Sequence, residues 1–524
     1  MGLESSENRG RTMYKTGKYL VAAGILATCF APAAAEAEYR ASSDTHMDVL
    51  DYIENHRRTA RENRLTDEQL QLMDDAKEMT ARLRKPVDPS APAPMAVEGD
   101  DLFYDEATGD VYARGDVRVT SLDSRRFETD EARGNLKTEE VQIDGKAHML
   151  QLTPGQSRAT LDGYRVVYHY GKKTGKMEEA KGKVGHYYVY GRRIEFYPEK
   201  IIIYDGYQTR CGAQTPDCRL PGDVIEIYPD NEILIYQAKY WIKDKIIYAR
   251  DYCRVDISPN AENPPQNIPR VGYSNKDGVW ISHRFSYDLA KRVEAYANIS
   301  YYTKRSFRNI YGIQWSNAGN YAAVEYGRYV DGDDNWIRKE PTFIFRHTHQ
   351  LGKLPFSYSL SFEDGRWENK GITSTHTYYG ISLSPHTIKL GSKSWRMNAS
   401  VGYSITRESY NHSQVNGFNY SAVMVKDFGP DIAAYVGYYY SASRKDNALF
   451  EYDTADYARR LDYGVSVALT PRDRFAFGQS RDMQEHRVKD IDYYWFHDMH
   501  CAQLILRYRA KRSSWQVRWE FMPW

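Results

Sequence analysis

The second half of the chain, from about Gly278 to Trp524, consists of segments in which large apolar residues alternate with polar ones. Residues 515–521 read Trp-Gln-Val-Arg-Trp-Glu-Phe, with every bulky side chain at an odd position. Because successive side chains of a β-strand point to opposite faces, this segment has one apolar face and one polar face. A soluble sandwich can contain one such strand. A membrane barrel has a long succession of them, with lipid outside and a wet lumen inside.

Segments of this kind recur roughly every fifteen to twenty residues, for example at 293–302, 432–441 and 502–509. Turn-type stretches, such as residues 316–320 and 331–335, separate them. Each segment has about 9–12 residues, the length that crosses a bilayer when tilted. We therefore predict an all-β protein that ends in an antiparallel outer-membrane β-barrel of about fourteen strands, give or take two, over residues 278–524.

The composition agrees with a barrel and excludes some other classes of protein. The chain has 45 Tyr and 10 Trp against 17 Phe, and amphipathic aromatic residues collect at membrane interfaces and on barrel walls. A large soluble β protein is the alternative explanation of the tyrosines. The net charge of +1 gives no overall bias toward nucleic acid. After the amino terminus no stretch of about 18 apolar residues occurs, so we expect no membrane helix.

The amino terminus has the form of an export signal. Basic residues precede an apolar run at 19–30, and small residues at 33–37 offer cleavage sites, so we predict a signal peptide over residues 1–37. Residues 38–85 form a charged segment with helical spacing and a capping-box pattern at 66–69. We interpret this segment as a solvated helical hairpin without a special role, with a periplasmic docking arm as the alternative. A proline-rich linker follows at residues 86–100.

From residue 101 the pattern changes to short strands and tight turns with a loose internal repeat. Each copy is a strand, a Thr-Gly turn and a strand that carries Ala-x-Gly-x-Val, at residues 104–117 and 170–184. Such repetition predicts short strands stacked over one apolar interior, a β-jellyroll at residues 101–222, followed by connecting strands and the start of the barrel at 223–277. Ordinary core packing is the alternative role of the residues that we expect to line the interior. These residues are Val111, Val117, Val119, Val166, Tyr168, Ile201 and Ile203.

Removal of the signal peptide leaves four cysteines, namely Cys211, Cys218, Cys253 and Cys501. An even number of cysteines in an exported chain favours disulfides over metal binding, and we expect neither a metal nor a cofactor. Spacing alone favours a Cys211–Cys218 bond, which leaves Cys253 to pair with Cys501. One or more free thiols are an equally open alternative.

The repeat resembles the OstA domain of periplasmic lipopolysaccharide transport proteins. Residues 207–211, Tyr-Gln-Thr-Arg-Cys, resemble the Thr-x-Cys motif that closes this domain in the family of outer-membrane lipopolysaccharide assembly proteins, LptD. Residues 235–248 resemble the strand pair that follows the motif, and residues 268–278 resemble the segment that opens the barrel. The chain departs from the family in its shorter barrel and in the single Cys501 where well-known members have an adjacent cysteine pair.

The resemblance implies a passive conduit for lipopolysaccharide. The protein would receive the glycolipid from a periplasmic bridge of OstA domains (LptA-like) and pass its acyl chains through the jellyroll interior, which the seven residues named above would line. The sugar would pass through the barrel lumen to the cell surface. A plug lipoprotein (LptE-like) is a further partner that the family suggests. By the same resemblance, a Cys211–Cys501 disulfide competes with Cys253–Cys501.

Histidines raise an enzymatic alternative. His347 and His349 share one face of a strand, and His497 and His500 lie on either side of Asp498. The chain has no Gly-x-Ser-x-Gly elbow and no His-Glu-x-x-His motif, so we do not expect an enzyme. Two alternatives to the conduit stay open: a general outer-membrane pore with a periplasmic plug domain, and a lipid A hydrolase embedded in the barrel.

Overall fold

The computed structural model describes residues 45–82, 95–121, 124–152, 158–213, 215–229, 231–256, 269–317, 319–391, 394–499 and 502–521. The predicted signal peptide lies outside these residues. The described chain begins with a helical hairpin, continues in a rolled antiparallel sheet and ends in a closed antiparallel barrel. The fold class is therefore the predicted one.

The hairpin consists of helices α1 (Thr45–Asn63) and α2 (Asp67–Arg82). The capping box predicted at the start of α2 is formed. The Thr66 backbone N–H donates to Gln69 Oε1 at 3.1 Å, and the Gln69 N–H donates to Thr66 Oγ1 at 3.2 Å. These reciprocal bonds satisfy two amides that have no partner within the helix. Neither of the helices described is long and apolar enough to cross a membrane.

The rolled sheet has twelve strands, and each strand from β3 to β12 pairs with the next. The short strands β1 and β2 both pair with β3 at its outer edge. Register shifts between Arg114 and Val117 in β3, and at similar levels in β4 and β5, bend the strands over a common interior. The sheet extends beyond residue 222, since β11 and β12 pair in the same sheet and contribute residues to the same buried core. The strands are β1 (Met95–Glu98), β2 (Asp101–Tyr104), β3 (Asp110–Ser121), β4 (Arg125–Asn135), β5 (Glu140–Gln151), β6 (Ala159–His169), β7 (Thr174–Val184), β8 (Tyr187–Phe196), β9 (Ile201–Thr209), β10 (Cys218–Tyr228), β11 (Glu232–Ile242) and β12 (Lys245–Asp256).

The barrel closes through pairing of its first strand with its last. Sixteen of its described strands form the barrel wall, and β16 and β22 are short strands of two residues each. This number lies within the predicted range of about fourteen, give or take two. The first strand, β13, has only five residues. The strands are β13 (Arg270–Ser274), β14 (Gly278–Ala290), β15 (Val293–Tyr302), β16 (Ser306–Phe307), β17 (Ile310–Asn317), β18 (Asn320–Val330), β19 (Trp336–Gln350), β20 (Phe356–Asn369), β21 (Ile372–Pro385), β22 (Ile388–Lys389), β23 (Trp395–Glu408), β24 (Gln414–Asp427), β25 (Ile432–Tyr440), β26 (Arg459–Ala468), β27 (Asp473–Asp482), β28 (Arg487–Asp498), β29 (Ala502–Arg509) and β30 (Ser514–Phe521).

The outer wall of the barrel carries the apolar face of each strand. Trp515 and Trp519 of the last strand are each 43% exposed on this wall, while Gln516 between them is buried on the lumen side. An apolar wall of this kind is stable only against lipid. We call the end of the barrel where β13 begins and β30 ends the proximal end, and the opposite end the distal end. The rolled sheet contacts the barrel through Arg250 of β12, whose Nη2 donates to the Ser286 carbonyl of β14 at 2.6 Å.

Candidate functional site: the sheet interior and the barrel lumen

The interior of the rolled sheet is a single apolar cluster that extends from β3 to β12. Six of the seven residues predicted to line it lie in this cluster, with Val117 and Ile203 fully buried. Val111 lies outside the cluster and is half-buried near the start of β3. A continuous apolar interior of this kind suits hydrocarbon, although its residues also form the core that stabilises the sheet.

A charged group that the sequence did not reveal borders the cluster. Arg125, the first residue of β4, is 2% exposed, and its guanidinium lies 4.5 Å from the ring centroid of Tyr168. Arg125 Nη1 also donates to the Tyr168 hydroxyl, and Nη2 donates to Gln151 Oε1 at 2.6 Å. Tyr168 therefore has two roles, because its ring packs in the interior while its hydroxyl binds a buried cation.

The structure contains none of the three disulfides that the sequence suggested. Cys211 and Cys253 are buried and outside any disulfide, whereas Cys218 is disulfide-bonded. The Cys211–Cys218, Cys253–Cys501 and Cys211–Cys501 pairings are therefore not formed. Cys253 points into the sheet interior, where its sulfur lies 3.4 Å from the Tyr240 hydroxyl, and this orientation directs it away from the barrel. Cys501 lies outside the described residues.

Helix α1 lies inside the barrel lumen, so the interpretation of residues 38–85 as a solvated hairpin is wrong for this helix. Val49, Leu50 and Ile53 are completely buried against the inner wall. The wall residues that they join are apolar where a wet lumen would be polar, and we call this patch the helix seat. The helix seat consists of Val423, Val425, Ala433, Tyr435, Tyr439, Ala476, Tyr494, Phe496 and Ile505.

Polar contacts fix the position of α1 along the lumen. His46 Nδ1 lies 2.7 Å from the Tyr435 hydroxyl, His46 Nε2 lies 2.9 Å from Ser480 Oγ, and Thr45 donates to Asp462. A Cβ on Gly478 would lie 2.8 Å from His46 Nδ1, so glycine at this position of β27 provides the space for the imidazole. These contacts hold the start of α1 deep in the lumen, within β25 to β27.

The other end of α1 lies toward the proximal end of the barrel. Arg474, near the proximal end of β27, donates from Nη1 to the Leu50 carbonyl at 3.1 Å, and its Nε lies 3.6 Å from Glu54. The Tyr52 hydroxyl lies 3.5 Å from Thr387 Oγ1 in the proximal connection after β21. The helix therefore fills the proximal part of the lumen.

Helix α2 packs on the rolled sheet rather than on the barrel. Leu72 is completely buried, and Asp75 accepts a hydrogen bond from Arg126 of β4. Gln69 Nε2 donates to Thr160 Oγ1 of β6 at 3.5 Å. The hairpin thus bridges the two β structures, with one helix on each.

The distal end of the lumen is covered by two connections, residues 331–335 and 441–458, which we call the distal cap. Arg512 pairs with Asp456 and Asp490 at 2.9 Å and with Asp333 at 3.1 Å. Asp333 also pairs with Arg509 at 2.9 Å. Burial would raise the pKa of Asp333, but the charges of Arg509 and Arg512 outweigh it and lower that pKa to about 2.

Apolar contacts anchor the longer connection of the distal cap. Phe450 lies in a buried cluster with Ile337 and Trp367, and the ring centroids of Phe450 and Trp367 are 6.0 Å apart. The ammonium of Lys339 lies 4.6 Å from the Trp367 ring and 2.5 Å from Glu363 Oε1. Residues 441–458 are therefore folded over the mouth of the lumen.

A cavity of about 330 Å³ separates the start of α1 from the distal cap. It is lined largely by small hydroxyl and amide side chains on β20 to β24, including Ser361, Ser382, Ser400, Asn419 and Ser421. Thr45 of α1 closes one side and Asp456 of the cap the other. Such a lining offers many hydrogen-bond donors and acceptors, and it also includes the charged residues Asp333, Asp453, Asp456 and Arg460.

The histidines that suggested an enzyme do not form a catalytic arrangement in the described residues. His347 and His349 lie on the outer wall, where His347 contacts Asn320 at 2.7 Å and Tyr358 at 2.9 Å. His497 contacts Asp473 at 2.8 Å, and no described serine contacts it. His500 lies outside the described residues. In the part of the chain that the structure describes, no group of three or more His, Cys, Asp or Glu side chains could hold a metal ion.

These features define a class of protein: an outer-membrane β-barrel protein with a rolled sheet before the barrel and a helix of its own chain inside the lumen. No protein-family model matches the chain. Among curated proteins, the chain is 22% identical over 283 residues to the LPS-assembly protein LptD of Bordetella avium strain 197N. The match covers 54% of this chain and 30% of that protein, so the chain spans less than a third of the relative's length.

This match is a similarity to an LptD protein over about half of the chain, and the closed barrel with its apolar outer wall is located in the outer membrane. Solved structures superpose only on part of the chain. A mutant porin of Rh. blastica has a TM-score of 0.30 at 8% identity and covers 48% of this chain and 96% of its own. A bacterial polysaccharide outer membrane secretin has a TM-score of 0.29 at 11% identity and covers 49% of this chain and 99% of its own.

Proposed function

We propose that the protein delivers lipopolysaccharide from the periplasm to the cell surface. One observation supports the proposal most strongly. The rolled sheet has a continuous apolar interior, and it lies beside a barrel in which hydroxyl groups line the lumen between α1 and the distal cap. An acyl chain loses about 0.8 kcal/mol per CH₂ that is exposed to water, so it needs apolar cover along its path. A sugar head group needs the opposite environment, and the lumen supplies it.

The first edge of the rolled sheet suits a bridge protein. Strand β2 is exposed along its length, and Leu102 and Phe103 are 53% and 72% exposed. An open edge with exposed apolar side chains accepts a further strand by backbone hydrogen bonding. An LptA-like protein with the same sheet architecture would extend the apolar interior toward its own.

Helix α1 gives the conduit an internal seal. The helix occupies the proximal lumen, and its apolar face matches an apolar patch of the wall. We infer that α1 closes the lumen at rest and moves when cargo passes. A separate plug lipoprotein of the LptE type would compete with α1 for the same space, so the two would not fill the helix seat together.

The seam between β13 and β30 is the proposed exit for acyl chains. It is held by four residue pairs, from Val271–Trp519 to Ser274–Gln516, whereas β20 and β21 share fourteen. Separation of this short ladder breaks fewer hydrogen bonds than separation of the longer ones. It would open a path from the lumen sideways into the membrane.

Depletion of the protein in its own host tests the proposal against its alternatives. A conduit predicts loss of lipopolysaccharide from the cell surface and its accumulation in the periplasm. A general pore predicts altered solute uptake with normal surface lipopolysaccharide, and a hydrolase predicts a changed lipid A mass. Normal surface lipopolysaccharide of normal mass after depletion would refute the conduit.

A further inference from the structure

One region of the outer wall has a chemistry that neither a conduit nor a pore requires. On the distal half of β24 and β25, three tyrosines point away from the lumen. The ring of Tyr420 stacks on that of Tyr440, with centroids 4.9 Å apart and planes 10° apart, and on that of Tyr438 at 6.2 Å and 21°. The stack presents three hydroxyl groups on this part of the wall.

Two arginines continue this region on β26 and β27. Arg459 lies directly opposite Tyr440 in the ladder, and Arg481 lies opposite Leu461. Residues of one face that are diagonal across a strand pair lie about 7–8 Å apart. Arg459 and Arg481 are thus diagonal neighbours on the outer wall, close enough for both guanidinium groups to reach one tetrahedral anion.

The positive charge of these arginines is not neutralised by the described residues. Arg459 is exposed and has no ion pair in the described part of the chain. Arg481 donates from Nη2 to the His486 carbonyl at 3.0 Å, and its Nε is buried without a hydrogen-bond partner. The nearby carboxylates are engaged elsewhere, since Asp482 is buried on the lumen side and Glu485 pairs with Lys489 at 2.5 Å.

A different group of outward arginines shows that this is a local feature. At the same distal level on β19 and β20, Arg338 and Arg366 lie 3.3 Å and 3.0 Å from the carboxylate of Glu340. Arg338 also lies 3.8 Å from Glu368. That region carries its own counter-charges, so it does not need an external anion.

The order of side chains down the wall matches the order of groups in a membrane lipid. Below Arg459 on β26 come Leu461, Tyr463 and Val465, and below Arg481 on β27 come Gln479 and Phe477. Cationic and hydroxyl donors therefore lie above a strip that is apolar apart from Gln479, whose amide donates to the Tyr463 hydroxyl. A lipid in the outer leaflet would place its anionic head group at the arginines and its acyl chains on the strip.

We propose that Arg459, Arg481, Tyr420 and Tyr440 form a binding site on the outer wall for a phosphate group of lipopolysaccharide in the surface leaflet. Arg459 and Arg481 donate to the phosphate oxygens, and the tyrosine hydroxyls donate from beside them. The site rests on the location of the barrel in the outer membrane with its distal end at the cell surface, opposite the end at which Arg250 of the rolled sheet contacts Ser286, and it does not depend on transport. It would hold resident lipid around the barrel.

The test uses the full-length protein purified in a mild detergent, with the retained lipid A measured by mass spectrometry. The double variant Arg459→Gln with Arg481→Gln is compared with Arg366→Gln, whose arginine already has an internal partner. Loss of two charge-assisted contacts is expected to reduce retained lipopolysaccharide roughly tenfold or more, since about 1.4 kcal/mol corresponds to tenfold. The control is expected to retain the native amount. Heat-modifiable electrophoretic mobility confirms that every variant is a folded barrel.

Re-binding of purified lipids to delipidated protein identifies the recognised group. Native lipopolysaccharide is expected to bind, and the same preparation after phosphatase treatment is expected to bind roughly tenfold less. Tyr440→Phe keeps the ring stack and is expected to weaken binding less than the arginine pair. The proposal is overturned if the double variant retains as much lipopolysaccharide as the native protein, if dephosphorylation has no effect, or if phosphatidylglycerol binds as tightly as lipopolysaccharide.

Discussion

Removal of the apolar contacts of α1 tests whether this helix seals the lumen. Leu50 and Ile53 are each completely buried between the helix and the helix seat. Replacement of a buried Leu or Ile by Ala costs about 2–5 kcal/mol. Because alanine is the best helix former, Leu50→Ala with Ile53→Ala weakens packing without weakening the helix itself.

The two substitutions are close in space, so their effects need not add. We take about 4 kcal/mol for the pair, which raises the population of the displaced helix about a thousandfold. Ala433 of the helix seat is completely buried and serves as a reporter. In an Ala433→Cys background, the rate of labelling by a maleimide follows the fraction of time for which α1 leaves the lumen.

The control is Leu70→Ala on α2, because Leu70 is 47% exposed and the chemical change is the same. We expect the control to be labelled at the rate of the parent and the double variant to be labelled about a thousandfold faster. The parent without the reporter cysteine gives the background from native thiols. Labelling of the double variant at the parent rate, in a barrel shown to be folded, would refute the role of these contacts in sealing the lumen.

Three further predictions concern the seam, the distal cap and the hairpin. Ser274→Cys with Gln516→Cys, at a paired position of the seam, is expected to block surface delivery of lipopolysaccharide under oxidising conditions, and delivery is expected to recover with reductant. Ser282→Cys with Ser300→Cys, a paired position on β14 and β15, is the control and is expected to have no effect; delivery through an oxidised seam would exclude this exit. Arg512→Gln removes ion pairs to Asp333, Asp456 and Asp490. Because Arg512 is partly exposed, the loss is expected to cost about 1.5–3 kcal/mol, measured as faster cleavage of residues 441–458 by added protease. The pKa of Asp333 is lowered to about 2, so the stabilisation from its charge is fully present above its ordinary pKa and is lost only as the pH falls through about 2. Cleavage of the native protein should therefore not change between about pH 8 and pH 5. A marked rise in cleavage over that range would contradict the role of this ion pair in holding the distal cap. Gln69→Ala breaks the capping box and is expected to cost about 1 kcal/mol, measured as roughly fivefold faster hydrogen exchange of the first amides of α2, with Gln71→Ala as the control.

Much of the architecture follows from the local pattern of the sequence. The period of two predicted the outer and inner faces of the strands correctly, as at Trp515, Gln516 and Trp519, because lipid and water impose opposite requirements on them. The apolar interior of the sheet was predictable for the same reason. Val111 is the exception, since its place near the end of β3 leaves it partly open. The capping box was predictable because it is a local hydrogen-bond pattern.

The site itself was only partly predictable. The apolar face of α1 is visible in the sequence at Val49, Leu50 and Ile53, but periodicity does not say against which surface a helix packs. A signal was nevertheless present. Ile505 stands on the otherwise polar face of β29, and Val423 and Val425 break the polar inner face of β24. Apolar residues that face a wet lumen indicate that something apolar covers them.

The remaining features depend on contacts between distant parts of the chain. Asp333 and Arg512 are separated by 179 positions, and no local sequence pattern indicates that residues 331–335 and 441–458 lie together in the distal cap. The disulfide state of Cys218 is of the same kind, because spacing favoured Cys211 as its partner while the fold buries Cys211 separately.

The account depends above all on contact between lipopolysaccharide and the interior of the rolled sheet. The direct measurement is photo-crosslinking in living cells, with a photoreactive residue placed singly at Val117 or Ile201, which are 0% and 3% exposed, and at Tyr188, which is 39% exposed on the outside of the sheet. The account predicts light-dependent adducts with lipopolysaccharide at the two interior positions and none at Tyr188. Folded protein that gives no adduct at either interior position, or equal adducts at all three, would contradict it.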